Sequence, residues 1–230
     1  MPDITSTVLD DPVGQSLNGQ HAHLARRVGN ACTYLSGVAT FAAIPAEPSA
    51  ADWHDLAQLL GSGQFADLFS APASPPANWE PVFTLAGFQL IYADEPTQVS
   101  GDVKVQKLGP NDVPDLLTLT ELTRPGPFWP RTIEMGTCHG VRDNGTLVAM
   151  AGERLRPPGW SEISTVCTAP QYRGQGLGAA VVRAAVHQIV ARGERPFLHV
   201  AATNVGAIRL YEQLGFVVRK PVRFHGYLVP

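Results

Sequence analysis

The run Arg173-Gly174-Gln175-Gly176-Leu177-Gly178 places three alternate glycines and an arginine between a strand-like segment, 162–168, and a segment with apolar residues at helical spacing, 178–192. The N–H groups of a first helical turn have no intrahelical partner, and the helix dipole is positive at the same end. Glycine lets an anion approach the main chain closely. The chemistry implied is the holding of a pyrophosphate.

Three kinds of phosphate loop fit part of this run. A Walker-type loop requires Lys-Ser/Thr after its last glycine, and Ala179-Ala180 stand there instead. Gly174, Gly176 and Ala179 match a dinucleotide fingerprint, with Glu194 twenty residues on. Its context fails, because residues 169–173 separate the first glycine from the strand and Glu194 precedes the next strand-like run. The third pattern, R-x-x-G-x-G, is satisfied by Arg173, Gly176 and Gly178. A second segment follows about 30 residues later, with Asn204, Ala207, Tyr211, Gly215 and Phe216 at the spacing N-x-x-A-x-x-x-Y-x-x-x-G-F.

On these two motifs the sequence resembles the GNAT superfamily of acyl-CoA-dependent N-acyltransferases, over residues 102–230, and in particular the branch of glycine N-acyltransferase C-terminal regions. The resemblance implies an α/β (α+β) fold whose mixed central sheet splays between two parallel strands, here 161–168 and 197–201. It implies acyl-CoA, with acetyl-CoA the first expectation, as cosubstrate. A small amine or a peptide or protein amine would be the acceptor. Direct transfer of a short acyl group to a primary amine is the expected reaction, with a non-catalytic acyl-CoA-binding or sensor module as the alternative.

The resemblance also carries roles. Backbone groups of Val166 and Thr168 would bond the pantetheine arm, and the N–H of Val166 or Cys167 would meet the thioester oxygen. Amides of Arg173, Gly174, Gln175, Gly176, Leu177, Gly178 and Ala179 would take the pyrophosphate. Asn204 and Ala207 fall on the cofactor side of the second motif. Asn204 and Tyr211, nearly two helical turns apart, share a face. Tyr211 would touch the sulfur and act as general acid, since a phenol stays protonated up to about pH 10. Glu162 is the expected general base, its pKa raised by burial, with partnership to Arg154 the competing reading and Glu153 the alternate base. Phe128, Trp129 and Arg131 are expected to line the acceptor pocket or else to fill a junction. Cys167 is read as a packing residue, and His139 and His199 as structural histidines.

Composition sets wider bounds. Hydrophobic residues make up 44% and charged ones 16%, which suits a packed core rather than disorder. No run approaches a membrane span, the start has no basic and apolar leader pattern, and a cytoplasmic location follows by default. Cys32, Cys138 and Cys167 are odd in number and widely spaced, against a disulfide framework or zinc cluster, and His21 and His23 lack companion ligands, so no metal is expected. Residues 1–100 have a charge balance of −8 and residues 101–230 of +5. The positive half suits a polyanionic cosubstrate, and no basic run points to nucleic acid. A homodimer is left open.

The polar stretch 93–101, with Pro96 and Gly101, reads as a linker. The expected division is therefore 1–100, an α+β region with a degenerate GNAT-like lobe held open, and 102–230, the acyltransferase domain. Strand 103–108, helix 114–122, an irregular 124–130, a helical turn at 132–135, a hairpin 138–142 and 147–155 around an Asp143-Asn144-Gly145 turn, strand 161–168, a helix from 178 capped at Gly193, strand 197–201, a helix from Thr203 or Asn204 and one or two terminal strands over 216–229 are expected. In the first region, 32–44 reads as a strand, 50–60 as a helix, 71–76 as a loop and 79–92 as two strands around Gly87.

Overall fold

The computed structural model describes residues 6–69, 75–93 and 103–230. In chain order the strands and α-helices are α1 (Pro12–Asn18), β1 (Ala25–Val28), β2 (Ala31–Tyr34), β3 (Ala42–Ala43), α2 (Ala50–Leu60), β4 (Phe65–Phe69), β5 (Glu80–Tyr92), β6 (Gln106–Leu108), α3 (Val113–Thr123), β7 (Cys138–Asp143), β8 (Thr146–Glu153), β9 (Trp160–Thr168), α4 (Leu177–Ala191), β10 (Arg195–Ala201), α5 (Val205–Gln213) and β11 (Phe216–Leu228). Eight strands form one sheet in the order β4-β11-β5-β10-β9-β8-β7-β6, and β1-β2-β3 form a small second sheet.

Local chemistry explains most of these elements. Asn144 and Gly145 both take positive φ, 46° and 85°, which a two-residue type I′ turn needs, so β7 returns as β8. Helix α4 buries Val181, Val182, Ala185, Val186 and Ile189 as one stripe against the sheet. Gly193, at φ 77°, follows the Arg192 cap and lets the chain turn away. Helix α2 opens with a capping box between Ser49 and Asp52.

Two readings of the first hundred residues are corrected. The expected strand 32–44 is two short strands, β2 and β3, with a turn between. The apolar run covers two chain directions, and apolarity alone does not mark the reversal. The two strands expected around Gly87 are the single strand β5. Gly87 is there for close approach rather than for a turn: a Cβ would lie 2.5 Å from the Phe224 ring and 2.7 Å from the Val200 carbonyl oxygen. Gly87→Ala should therefore lower stability by about 1–3 kcal/mol through overpacking, read as a lower thermal unfolding midpoint; an unchanged midpoint would show that the strands give way freely. The loop expected at 71–76 and the linker at 93–101 lie largely outside the described residues. The expected strand 103–108 shortens to β6.

Residues 12–69 run α1-β1-β2-β3-α2-β4, and residues 113–201 run α3-β7-β8-β9-α4-β10, the same order of types. Each run ends in a parallel contact after its helix: a bridge from Phe41 to Asp67 in the first, the β9–β10 pair in the second. The next strand after each run is 13 residues long, β5 directly and β11 after the inserted helix α5. These long strands are exchanged: β5 pairs with β10 and β11 with β4, and the two pair with each other. The order β4-β11-β5-β10 thus reads alike from either end when the halves are interchanged. Residues on both sides of 100–102 belong to one hydrogen-bonded sheet, so the N-terminal half is positioned to shape whatever site the other half carries.

Candidate functional site

Strands β9 and β10 pair in parallel only at Trp160–Arg195, Ser161–Pro196 and Glu162–Phe197, and then separate. On the other flank of β9 the ladder to β8 is also broken. Gly152 faces Ser164 and Met150 faces Cys167, so Thr165 and Val166 stand against Ala151 alone. Thr165 takes φ 53° at this bulge, a strained conformation for a β-branched residue. The bulge turns the 166–168 edge away from β10 and opens a fork.

A cavity of about 960 Å³ occupies the fork. At one end it meets Arg173, Gly174, Gly176, Leu177, Gly178 and Ala179, and along the fork it meets Val166, Cys167 and Thr168. Asn204, Ala207 and Tyr211 of α5 close one wall. The structure thus brings together most of the residues the two motifs singled out. Gln175 is not on the wall; its side chain reaches the Gln171 carbonyl oxygen at 3.4 Å.

Gly174 and Gly176 both take φ 76°, and a Cβ on either would meet nothing within 4 Å. Their glycine character answers to backbone conformation and to open space in front of the helix. Helix α4 has no side-chain cap, and its first bond runs from the Ala180 N–H to the Gly176 carbonyl at 3.0 Å. The N–H groups of the first turn therefore face the cavity entrance without intrahelical partners.

Tyr211 is buried against Phe216, ring centroids 6.0 Å apart. Burial and the nearby Cys167 push its phenol up to about 12. Asn204 caps α5, its Oδ1 accepting from the Ala207 N–H at 3.2 Å. Burial raises the Cys167 thiol to about 11, which fits a packing residue rather than a nucleophile.

Glu162 requires a correction. It is fully buried, as expected, but its carboxylate is gripped by Arg154 through two bonds of 2.8 and 2.7 Å. The His199 Nδ1–H donates to it at 2.7 Å, and the Leu155 N–H reaches it at 3.3 Å. Burial works to raise its pKa, yet Arg154 and His199 prevail and hold it down at about 2. A carboxylate so stabilised is a weak proton acceptor. Glu153, the alternate, is paired with Arg192 at 2.9 and 2.6 Å and accepts from Ser161, away from the cavity wall.

His199 is neutral, burial lowering its pKa. Its Nε2 accepts from Gln89, whose amide also donates to the Leu9 carbonyl while its oxygen accepts from Arg219. His139 is likewise buried and neutral, its pKa lowered. Phe128, Trp129 and Arg131 are not on the cavity wall; Thr123, Arg124, Pro125, Gly126 and Pro127 are. Phe128 packs near Leu116 and Leu119, Trp129 against the N-terminal core, and Arg131 pairs with Glu134 at 2.7 Å. The irregular stretch was correctly placed, but its apolar side chains are drawn into neighbouring cores.

Sequence reading missed the far end of the cavity. It is walled by Phe41, Asp67, Phe69, Phe83, Leu85 and Phe224, beside Arg154 and His199. Across a flat sheet β4 and β10 would stand roughly 14 Å apart, three strand spacings. Instead the Phe69 and His199 rings are 4.8 Å apart, so the sheet curls until its two sides meet. The one legible signal was a lone acid, Asp67, in the apolar strand Phe65-Ala66-Asp67-Leu68-Phe69. Among the described residues no helix is long and apolar enough to cross a membrane, and no three His, Cys, Asp or Glu side chains are grouped to hold a metal ion.

A family model described as FR47-like protein matches residues 138–224. Mycothiol acetyltransferase of Corynebacterium glutamicum (strain R) is 38% identical over 77 residues, 33% of this chain and 26% of that protein. The N-alpha-acetyltransferase RimI of Mycobacterium tuberculosis is 39% identical over 80 residues, 34% of this chain and 49% of that protein. The matches thus span a quarter to a half of these relatives. A GNAT-family protein from Novosphingobium aromaticivorans DSM 12444 superposes with a TM-score of 0.88 at 36% identity, over 97% of this chain and 99% of that one. A GCN5-related N-acetyltransferase from Kribbella flavida shares the fold at a TM-score of 0.66 and 17% identity, over 96% of each chain.

Proposed function

The chain belongs to the GNAT family, and we propose that it transfers an acetyl group from acetyl-CoA directly to a primary amine. The observation that carries this reading is the single cavity running from the glycine loop, through the β9–β10 fork and past Tyr211, to an end beside Arg154 and Asp67.

The residues fit such a cosubstrate. First-turn amides of α4 and the loop from Arg173 to Ala179 would hold the pyrophosphate, where open space lies in front of Gly174 and Gly176. The Val166–Thr168 segment, beyond the last β10 pair, would bond the amides of the pantetheine arm, with Asn204 and Ala207 opposite and Arg173 Nε, now on the Thr168 carbonyl at 3.3 Å, free to move to the phosphates. An N–H at Val166 or Cys167 would polarise the thioester carbonyl. Tyr211 keeps its proton until the leaving thiolate needs one. Glu162 holds Arg154 in place rather than taking a proton, which leaves the base to another group.

Acetyl-CoA binding followed by calorimetry, together with thiol release measured across a panel of amines, tests this reading. Saturable thiol release that depends on an amine is expected. Tight binding without turnover on any amine would instead make the chain a binding module. Gly176→Val should weaken acetyl-CoA binding by at least about tenfold, because a β-branched residue resists positive φ by about 1–2 kcal/mol and its side chain fills the anion's space. Unchanged affinity in calorimetry would move the pyrophosphate away from this loop.

A further inference from the structure

Resting on the acetyl-transfer reading, we propose that the far end of the cavity is an acceptor subsite for small arylalkyl or apolar primary amines, in which Asp67 receives the proton of the substrate ammonium. Two features of that end support this: its aromatic wall and its charge balance.

The wall is aromatic. Phe41 and Phe69 lie 4.9 Å apart, and Phe69 stacks on Phe224 at 4.7 Å. Phe83, partly exposed, stands at the rim and stacks on Phe65. The faces nearest Arg154 are already used: its guanidinium lies 5.0 Å from the Phe41 centroid and 4.7 Å from Phe69. An amine with a ring or short alkyl tail would find apolar contact there, whereas a carboxylate or a polyamine would leave charge unmatched.

The charge balance lacks one positive group. Arg154 is cancelled by Glu162, and His199 donates to that same carboxylate as a neutral ring. Tyr34 of β2 is neutral as well, and burial and the nearby Glu162 keep its phenol protonated. His225, next to Asp67's pairing partner Gly226 on β11, is held neutral by burial. Asp67 accepts a hydrogen bond from Thr40 at 3.1 Å, while the Arg154 guanidinium turns its bonds of 2.8 and 2.7 Å to Glu162. Burial raises its carboxyl to about 6, with Thr40 and Arg154 opposing. On the Gln89 side of His199, Arg219 and Lys220 share Asp10. Beside Arg154, which Glu162 holds, an ionised Asp67 has Thr40 but, among the described residues, no cation of its own, and a bound ammonium supplies one.

The step balances. One N–H bond of the ammonium breaks as its proton moves to a carboxylate oxygen of Asp67. The freed nitrogen lone pair forms the C–N bond at the thioester carbonyl, and the C–S bond then breaks. Tyr211 gives its proton to the departing thiolate and regains one from the acylated nitrogen. Asp67 returns its proton to solvent, so one proton is released per turnover. In the pseudo-two-fold arrangement Asp67 of β4 is the counterpart of His199 of β10, and the two enter the cavity from opposite sides.

The experiment compares 2-phenylethylamine, n-hexylamine, glycine and spermidine as acceptors, with acetyl-CoA binding measured separately. Expected is a kcat/KM for the first two at least about tenfold above the others, since each buried methylene contributes about 0.8 kcal/mol. Asp67→Asn should lower kcat/KM on 2-phenylethylamine by about 10²-fold or more and abolish the rise in wild-type activity through about pH 6. On 4-methoxyaniline, already neutral at pH 7, the same variant should lose far less. Phe224→Leu, a second variant, should raise KM for 2-phenylethylamine while acetyl-CoA affinity holds. Equal losses on both amines, or a preference for glycine or spermidine with acetyl-CoA still bound, would overturn the subsite and leave the family reading standing. Failure of acetyl-CoA to bind wild-type protein would overturn both.

Discussion

Tyr211→Phe is expected to reduce kcat for acetyl transfer by about 10²- to 10⁴-fold, the range for loss of a positioned general acid. The phenol's pKa is raised to about 12 by burial and by Cys167, so the group is fully protonated across the working pH range. A thiolate leaving in that buried fork gains a proton only if one is supplied there. The substitution keeps the ring that packs on Phe216, 6.0 Å away, so the helix and its Asn204 cap should stay in place. Acetyl-CoA affinity and the thermal midpoint should therefore move little while kcat falls. The measurement is steady-state kinetics beside calorimetry and melting. A kcat within about threefold of wild type would remove the acid role, and an equal loss of binding would make Tyr211 a packing residue.

The second large effect concerns the buried pair. Glu162→Gln should lower stability by about 3–5 kcal/mol, because the Arg154 charge is then buried without its counter-ion. The pH dependence has a definite sign. The folded carboxyl lies near 2, below its ordinary value of 4.5. Its contribution is thus fully present above the ordinary value and is lost as pH falls toward the folded one. Wild type and variant should differ most near neutrality and converge between those two values, as read by denaturant unfolding at several pH values. A constant gap down to pH 2 would show that the carboxylate's charge is not what matters. Arg154 also lies against Phe41 and Phe69, so the variant should disturb acceptor KM more than acetyl-CoA affinity.

Much of this molecule was readable one residue type at a time. The glycine loop, the Asn204–Tyr211 spacing, the Asn144-Gly145 turn and the stripe of α4 are local patterns, in which dihedral limits and helical period leave few alternatives. They carried the family, the fork and the glycine-loop end of the cavity. The charge states did not follow in the same way. Burial of Glu162 and Arg154 as its partner were both legible, eight residues apart across a hairpin, but His199 reaches the same carboxylate from β10, and which role the pair would leave to Glu162 depended on that tertiary setting. Of the two readings of Phe128 and Trp129, pocket lining or junction filling, Trp129 takes the second, packing on the N-terminal core, and Phe128 packs beside Leu116 and Leu119.

The amino-acid order alone settles the shape of the glycine-loop end of this cavity, because a loop and one helical turn suffice to make that end. The other end exists only once β5 and β11 are exchanged and the sheet curls, bringing Asp67 and Phe69 of β4 against His199 of β10. Residues more than a hundred positions apart build that wall. No periodicity within a segment reports which distant strand will lie beside it; pairing and curvature of the whole sheet decide that.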